Sequence, residues 1–305
     1  MYNQNVILSY DNVPKTIVVG ASGFLGSAFF SFYRSIYPDC IGWDNRTVNR
    51  GISFFDLQSP NIAPFKPAET GYKEALIFAA MTKVDACETE KELTRKVNVE
   101  GTLKLIRQLV SEGIKPVFFS SDYVFDGEKG NYQDDAPVNP ITEYGRQKAE
   151  VEEKIKDISK EDYLVVRLSK AFSLTKHDGT LLDEMAGILM SGGTIRAAHD
   201  QIFCPTLVSD IIRAVVFLQS ASISGVVNVC TPEARSRYDL ALELANSLRM
   251  GSDRILKVSL DEIGFKSRRP KNTSMIPKRL LAECDFAFMP VTQCVGLAAD
   301  NWLKG

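Results

Sequence analysis

The chain has 305 residues, with 36 Lys and Arg against 38 Asp and Glu and a formal charge of −2. That balance argues against a nucleic-acid partner, and no apolar run approaches the ~20 residues needed to cross a bilayer, so no membrane partner is expected. Hydrophobic residues make up 45% and charged residues 24%, the composition of a globular chain with one large domain or two modest ones.

In chain order, residues 16–20 (TIVVG) form an apolar, β-branched run that predicts a buried strand. A helix follows over 22–37, with Phe24, Leu25, Ala28, Phe29 and Phe32 on its apolar side. Strands are predicted at 39–44, 75–80, 116–121 and 163–168, and helices at 90–112 and 144–156. This alternation predicts βαβ units: an α/β fold of Rossmann type, a doubly wound parallel sheet. After residue 168 the rhythm loosens. A helix is read at 179–190, a break at Gly192-Gly193, a helix at 209–219, a strand at 225–229 and a helix at 236–250. The remainder is rich in turns and basic residues. The expected organisation is a dinucleotide-binding domain over 14–170, joined by about 206–230, and a smaller C-terminal substrate lobe from 171–205 and 231–305.

The six cysteines are dispersed, with no C-x-x-C pair, and the N-terminus has neither a basic start nor a long apolar stretch. The reading is reduced thiols, no signal peptide and a cytoplasmic protein. His177 and His199 are too few and too isolated for a metal site, so no metal is expected.

Glycines at 20, 23 and 26 stand between the first strand and the first helix. A turn so placed brings backbone close to a pyrophosphate and offers it the N–H groups of a helix N-terminus. Gly20, Ser22, Gly23, Phe24, Leu25 and Gly26 are therefore the predicted cofactor loop. At the end of the second strand, Asp44 would accept hydrogen bonds from a ribose 2′-hydroxyl, whereas Arg46 would pair with a 2′-phosphate. Both NAD(H) and NADP(H) stay open.

Tyr144 and Lys148 are four positions apart on a helix and share a face. A neighbouring ammonium and a cationic nicotinamide both favour the phenolate, so this pairing predicts a tyrosine with a lowered pKa acting in proton transfer. Ser121 ends a strand at the edge of the same crevice, where its hydroxyl can hydrogen-bond a carbonyl oxygen.

GASGFLG at 20–26, FAAMTKVDACE at 78–88, VNVEGT at 97–102, SSDYVFDG at 120–127, NPITEYGRQKAEVE at 139–152, HDQIFCPT at 199–206 and RRPKNTSM at 268–275 together carry a family likeness. The chain resembles the extended short-chain dehydrogenases/reductases, and among them the dTDP-4-dehydrorhamnose reductase group. The resemblance implies reduction of a nucleotide-linked 4-keto-6-deoxy sugar by NAD(P)H, with Ser121, Tyr144 and Lys148 catalytic and Asn98 in support. Lys148 would also hold the nicotinamide ribose. The resemblance puts Asp56 and Leu57 near the adenine and Ala79, Ala80 and Met81 along the cofactor. Asp122 and Tyr123 would face the sugar, and Arg269 and Asn272 would approach it from the C-terminal lobe. Arg268, Arg269, Lys271 and Lys278 are candidates for the nucleotide diphosphate. A homodimer is the assembly the resemblance admits.

Two details refine this. Sugar 4,6-dehydratases of similar fold usually carry Asp-Glu directly after the catalytic Ser or Thr, whereas here Asp122 is followed by Tyr123, which favours simple carbonyl reduction. Rhamnose-type reductases usually show Ser-Trp after the strand at 163–168, whereas here Ser169 is followed by Lys170. Lys170 either points to solvent or meets an acidic group or phosphate of a different substrate. Two other readings stay in view: an epimerase that keeps its NAD bound, and a regulatory subunit like the beta subunit of methionine adenosyltransferase.

Overall fold

The structure is a computed structural model that describes residues 12–46, 51–283 and 286–304. Cys284 and most of the N-terminal stretch lie outside the described residues. In chain order the first half runs β1 Thr16–Val19, α1 Phe24–Ile36, β2 Gly42–Asp44, β3 Ile52–Phe54, β4 Glu74–Ile77, α2 Val84–Thr89 and α3 Lys91–Arg95. It continues through a π-helical turn at Lys96–Gly101, α4 Thr102–Ser111, β5 Lys115–Ser121, α5 Glu143–Ser159 and β6 Leu164–Leu168. The second half comprises β7 Ala171–Phe172, α6 Leu181–Met190, β8 Ile195–Ala198, β9 Ile202–Phe203, β10 Thr206–Leu207 and α7 Val208–Ser220. Then come β11 Gly225–Val229, β12 Arg235–Ser236, α8 Arg237–Ser247, β13 Ile255–Val258, α9 Lys278–Glu283 and α10 Val291–Leu303.

Seven strands form one parallel sheet in the order β11-β6-β5-β4-β1-β2-β3. Alternate strand residues divide between its two faces. Val18, Leu76, Val117 and Val166 pack with Phe29, Phe30 and Tyr33 of α1 and Ile211 and Val215 of α7. Ile17, Val19, Ile77, Phe118 and Val165 pack with Leu105, Ile106 and Leu109 of α4 and Val151 and Ile155 of α5. Burial on both faces explains why these strands read as continuous apolar runs. The strand order reverses between β1 and β4, and in such sheets ligands bind beyond the carboxyl ends of the strands at that point.

A separate apolar cluster joins Leu181, Leu182 and Met185 of α6, Leu240 and Leu244 of α8, and Val291, Val295 and Ala299 of α10. Three features depart from the sequence reading. The helix expected over 90–112 is interrupted by the π-helical turn. A short edge strand, β3, extends the sheet. The segment read as turn-rich holds α9, whose Leu280 packs on the sheet, and α10. No helix among the described residues is long and apolar enough to cross a membrane.

Candidate active site

The carboxyl ends of β1, β2, β4 and β5 open into a cleft of about 1160 Å³. Its floor is the glycine turn. Gly23 caps α1 without a side chain, which leaves the first-turn N–H groups facing the cleft. A Cβ on Gly26 would stand 2.0 Å from the Gly20 carbonyl oxygen, so only glycine lets the helix start this close to the strand. Asp44 braces the turn: its Oδ2 accepts from Ser22 N–H at 3.2 Å and its Oδ1 from Arg46 N–H at 2.9 Å. The Asp44 side chain is buried, whereas that of Arg46 is 75% exposed at the rim.

Tyr144 and Lys148 come from the first turns of α5, whose N-cap Thr142 accepts from Gly145 N–H at 3.0 Å. Lys148 is buried; its Nζ donates to the Phe119 carbonyl at 2.7 Å and lies 5.9 Å from the centre of the Tyr144 ring. Burial lowers the Lys148 pKa to about 8, with Glu152 acting in the opposite sense. Tyr144 departs from the expected lowering. Burial raises its pKa, the nearby Asp122 carboxylate raises it further, and only the Ser121 hydroxyl among its main neighbours acts the other way. The protein's own groups therefore keep the phenol protonated at neutral pH, the form that donates a proton.

Ser121 ends β5. Its Oγ donates to Asp122 Oδ1 at 3.0 Å and accepts from Tyr123 N–H at 3.2 Å. Asp122, expected to face a sugar, is buried beneath the site instead. Its Oδ2 accepts from Ser169 Oγ at 3.2 Å and Thr273 Oγ1 at 2.7 Å. Burial raises its pKa against those hydrogen bonds. Asp122 thus fixes Ser121 and joins β5 to two distant segments. The Tyr123 ring lies edge-on to Tyr144 at 6.0 Å; burial, then Asp122, pushes its pKa up to about 12.

Asn98 is buried in the π-helical turn. Its Oδ1 accepts from Met81 N–H at 2.8 Å, and its Nδ2 donates to the Met81 carbonyl at 2.9 Å and to Gln147 Oε1 at 2.8 Å. It ties the loop after β4 to α5 without lining the cleft.

Of the other expected residues, Gly20, Ser22, Gly23, Phe24, Leu25, Gly26, Asp44, Arg46, Leu57, Ala79, Ala80 and Met81 line the cleft together with Ser121, Tyr144 and Lys148. Asp56 does not; its Oδ1 accepts from Gln58 N–H at 2.9 Å and holds the loop. Arg269 is engaged by Asp85 at 2.8 Å and lies over the Phe265 ring. Asn272 Oδ1 accepts from Ser274, and its backbone N–H donates to the Gly127 carbonyl at 2.8 Å; neither residue lines the cleft. Lys271 pairs with Asp200 and Asp261 at 2.9 Å, and Lys278 Nζ donates to Gln133 Oε1 at 3.1 Å. Lys170 is exposed and does not line the cleft, although its neighbours Ser169 and Ala171 do; its pKa is lowered by partial desolvation and then by Arg237.

The sequence reading did not single out Trp43, Phe55, Phe78, Phe119, Ser120, Leu168 or Ala171 as cleft-lining residues. They sit at strand ends, and the strand-end rule alone would have found them. Trp43 Nε1 and Ser120 Oγ are buried with no hydrogen-bond partner among the described residues. A cleft with a glycine-lined floor, aromatic walls and the free N–H groups of a helix N-terminus fits a dinucleotide.

Residues 15–301 match the family model described as the RmlD substrate binding domain. The chain is similar to the spore coat polysaccharide biosynthesis protein SpsK of Bacillus subtilis, 31% identical with 85% of this chain and 87% of that protein covered. It is also similar to the methionine adenosyltransferase 2 subunit beta of Xenopus tropicalis, 24% identical over 83% of this chain and 78% of that one. Among solved structures, dTDP-4-dehydrorhamnose reductase from Bacillus anthracis in complex with NADP superposes with a TM-score of 0.81 at 25% identity, covering 96% of this chain and 99% of the other.

Proposed function

The chain belongs to the RmlD substrate-binding domain family and is an NAD(P)-dependent oxidoreductase, and we propose that its reaction is reduction of the 4-keto group of a nucleotide-linked 6-deoxy sugar. The observation that carries this reading is that Ser121, the half-buried Tyr144 and Lys148 line one cleft with the glycine turn, where desolvation and then Asp122 raise the pKa of the Tyr144 phenol. When bound along Gly20–Gly26 and Ala79–Met81, the nicotinamide cofactor would supply the hydride for the ketone carbon. Tyr144 gives its hydroxyl proton to the carbonyl oxygen as negative charge develops there. Ser121, held by Asp122, offers its hydroxyl to the same oxygen. Lys148, charged below about pH 8, stabilises the phenolate left behind and holds the cofactor ribose.

NADPH is the proposed cofactor. Asp44 spends its carboxylate on the Ser22 and Arg46 N–H groups, while the exposed Arg46 guanidinium suits a 2′-phosphate. The first apolar core, on the sheet, is assigned to the dinucleotide, and the second, formed by α6, α8 and α10, to the sugar.

Oxidation of NADPH and NADH is to be followed with a panel of nucleotide-linked 4-ketosugars. Turnover is expected with NADPH preferred, and Tyr144→Phe is expected to lower kcat by at least about 10²-fold while still binding dinucleotide. Equal turnover in Tyr144→Phe would overturn the assignment. A bound NAD that cycles without net oxidation would instead indicate an epimerase. Dinucleotide binding with no turnover of any ketosugar would indicate a regulatory subunit.

A further inference from the structure

Among the described residues the buried aspartates are Asp44, Asp122, Asp134, Asp183 and Asp210. All but Asp122 accept from at least one peptide N–H, as Asp44 does from Ser22 and Asp134 from Asn228. An N–H can only donate, so such a shell fits a carboxylate. Among the described residues, the Asp122 carboxyl hydrogen-bonds only to hydroxyl groups, those of Ser121, Ser169 and Thr273, and forms no ion pair. A hydroxyl donates or accepts, so this shell fits a neutral acid as well as an anion.

The two oxygens of Asp122 have different neighbours. Oδ2 lies 3.2 Å from Ser169 Oγ and 2.7 Å from Thr273 Oγ1. Ser169 Oγ already accepts from Cys204 N–H at 3.0 Å, so its own proton goes to Oδ2. Two hydroxyl donors mark Oδ2 as the carbonyl oxygen. Oδ1 meets Ser121 Oγ alone, at 3.0 Å, and that distance suits a proton on either oxygen. An ionised Asp122 takes the single Ser121 proton and leaves that serine none to offer a substrate. A protonated Asp122 reverses the bond. Its O–H and the Tyr123 N–H, at 3.2 Å, then fill the two lone pairs of Ser121 Oγ, and the Ser121 proton is left for the cleft that Ser121 lines.

A buried carboxylate with neither a cation nor an N–H donor is costly, and burial raises the Asp122 pKa against its three hydrogen bonds. The titratable and charged groups that face it are Tyr123, Tyr144 on α5, Lys170 after β6, and Cys204 and Cys230 from two further segments. Lys170 is the one cation among them, and it is exposed.

Resting on the reductase reading, we propose that Asp122 is a positioning residue that works as a neutral acid, donating to Ser121 Oγ and so committing the Ser121 proton to the substrate carbonyl oxygen. Asp122 and Ser121 both keep their protons; the proton transferred is that of Tyr144. With no charge on Asp122, its contribution to raising the Tyr144 pKa is absent, so the phenol gives up its proton more readily.

Asp122→Asn keeps a neutral donor for Ser121 and an acceptor for Ser169 and Thr273, whereas Asp122→Leu removes both. The full chain is compared with these variants by infrared spectroscopy at neutral pH and by turnover of a nucleotide-linked 4-ketosugar with NADPH. Glu74→Gln is the control, because burial also raises the Glu74 pKa, to about 7. The C=O stretch of a protonated carboxyl is expected in wild type and in Glu74→Gln, and is expected to be missing from Asp122→Asn. Asp122→Leu is expected to lower kcat at least about tenfold with KM for NADPH retained, as for a misdirected donor to a developing oxyanion, and Asp122→Asn to recover most of that loss. Absence of the band from wild type would overturn the proposal. So would a kcat in Asp122→Asn as low as in Asp122→Leu, because Ser121 would then need an anion. The infrared comparison requires neither turnover nor the leucine variant, so it decides the protonation of Asp122 even if wild type reduces no ketosugar, a result that would count against the reductase reading alone.

Discussion

Glu74 stands at the amino end of β4, the end of the sheet remote from the cleft, and is buried. Its Oε2 accepts from Gln219 Nε2 at 2.7 Å, and Gln219 Oε1 in turn accepts from the Tyr33 hydroxyl. Burial pushes the Glu74 pKa up to about 7 from an ordinary 4.5, against the hydrogen bond from Gln219 and the charge of Lys115. The folded state therefore holds a proton that the unfolded chain has released, so stability is fully present below about pH 4.5 and declines as pH rises to about 7. The loss is on the order of 3 kcal/mol. Glu74→Gln, neutral at every pH, is expected to flatten the dependence of Tm on pH across that window; an unchanged slope would locate the titration elsewhere. Tyr144 teaches the same lesson at the site. Its residue type and its spacing from Lys148 were readable in one dimension, but the direction of its pKa depends on burial and on Asp122, which no spacing shows.

At the scale of elements, the π-helical turn at Lys96–Gly101 is the clearest case of tertiary context overriding a local pattern. Helical periodicity runs through it, so residues 90–112 read as one helix. Yet a Cβ on Gly101 would stand 1.8 Å from the Leu57 carbonyl oxygen, and the widened turn lets Asn98 reach both Met81 and Gln147. π-helical turns often mark functional sites for this reason. Asn98→Ala leaves the Met81 N–H, the Met81 carbonyl and Gln147 Oε1 short of partners. It is expected to cost roughly 1–3 kcal/mol in denaturant unfolding and to raise the KM for dinucleotide through displacement of the Met81 wall. Wild-type stability and KM would refute the tethering role. By contrast, α10 carried a legible signal: Val291, Cys294, Val295, Ala298 and Ala299 recur at helical spacing and are all buried. Their small side chains make a weak apolar stripe, so the turn-rich composition nearby obscured it.

Across the described residues, a buried ion pair between the consecutive elements α5 and β6 sits at the centre of a network that reaches distant parts of the chain. Arg167 on β6 donates to Glu152 on α5 at 2.7 Å, and both side chains are 5% exposed. Arg167 also donates to the Asp134 carbonyl at 3.0 Å. The Asp134 carboxylate accepts from Asn228 N–H of β11 at 2.7 Å and from Arg279 N–H of α9 at 3.0 Å. Arg167→Met strands a buried carboxylate and is expected to cost about 3–5 kcal/mol, and adding Glu152→Leu is expected to restore much of that. Denaturant unfolding of the two variants checks both values, and a double variant no more stable than the single one would refute the account. The sequence by itself determined what depends on near neighbours: the strand and helix periods, the glycine turn, and the shared face of Tyr144 and Lys148. Only the tertiary structure decided that Asp122 turns inward to Ser169 and Thr273, 47 and 151 residues away, and that Arg269 answers Asp85 and not the cleft. Periodicity and spacing record local backbone geometry, whereas burial, charge pairing and pKa depend on which distant segments the folded chain brings into contact.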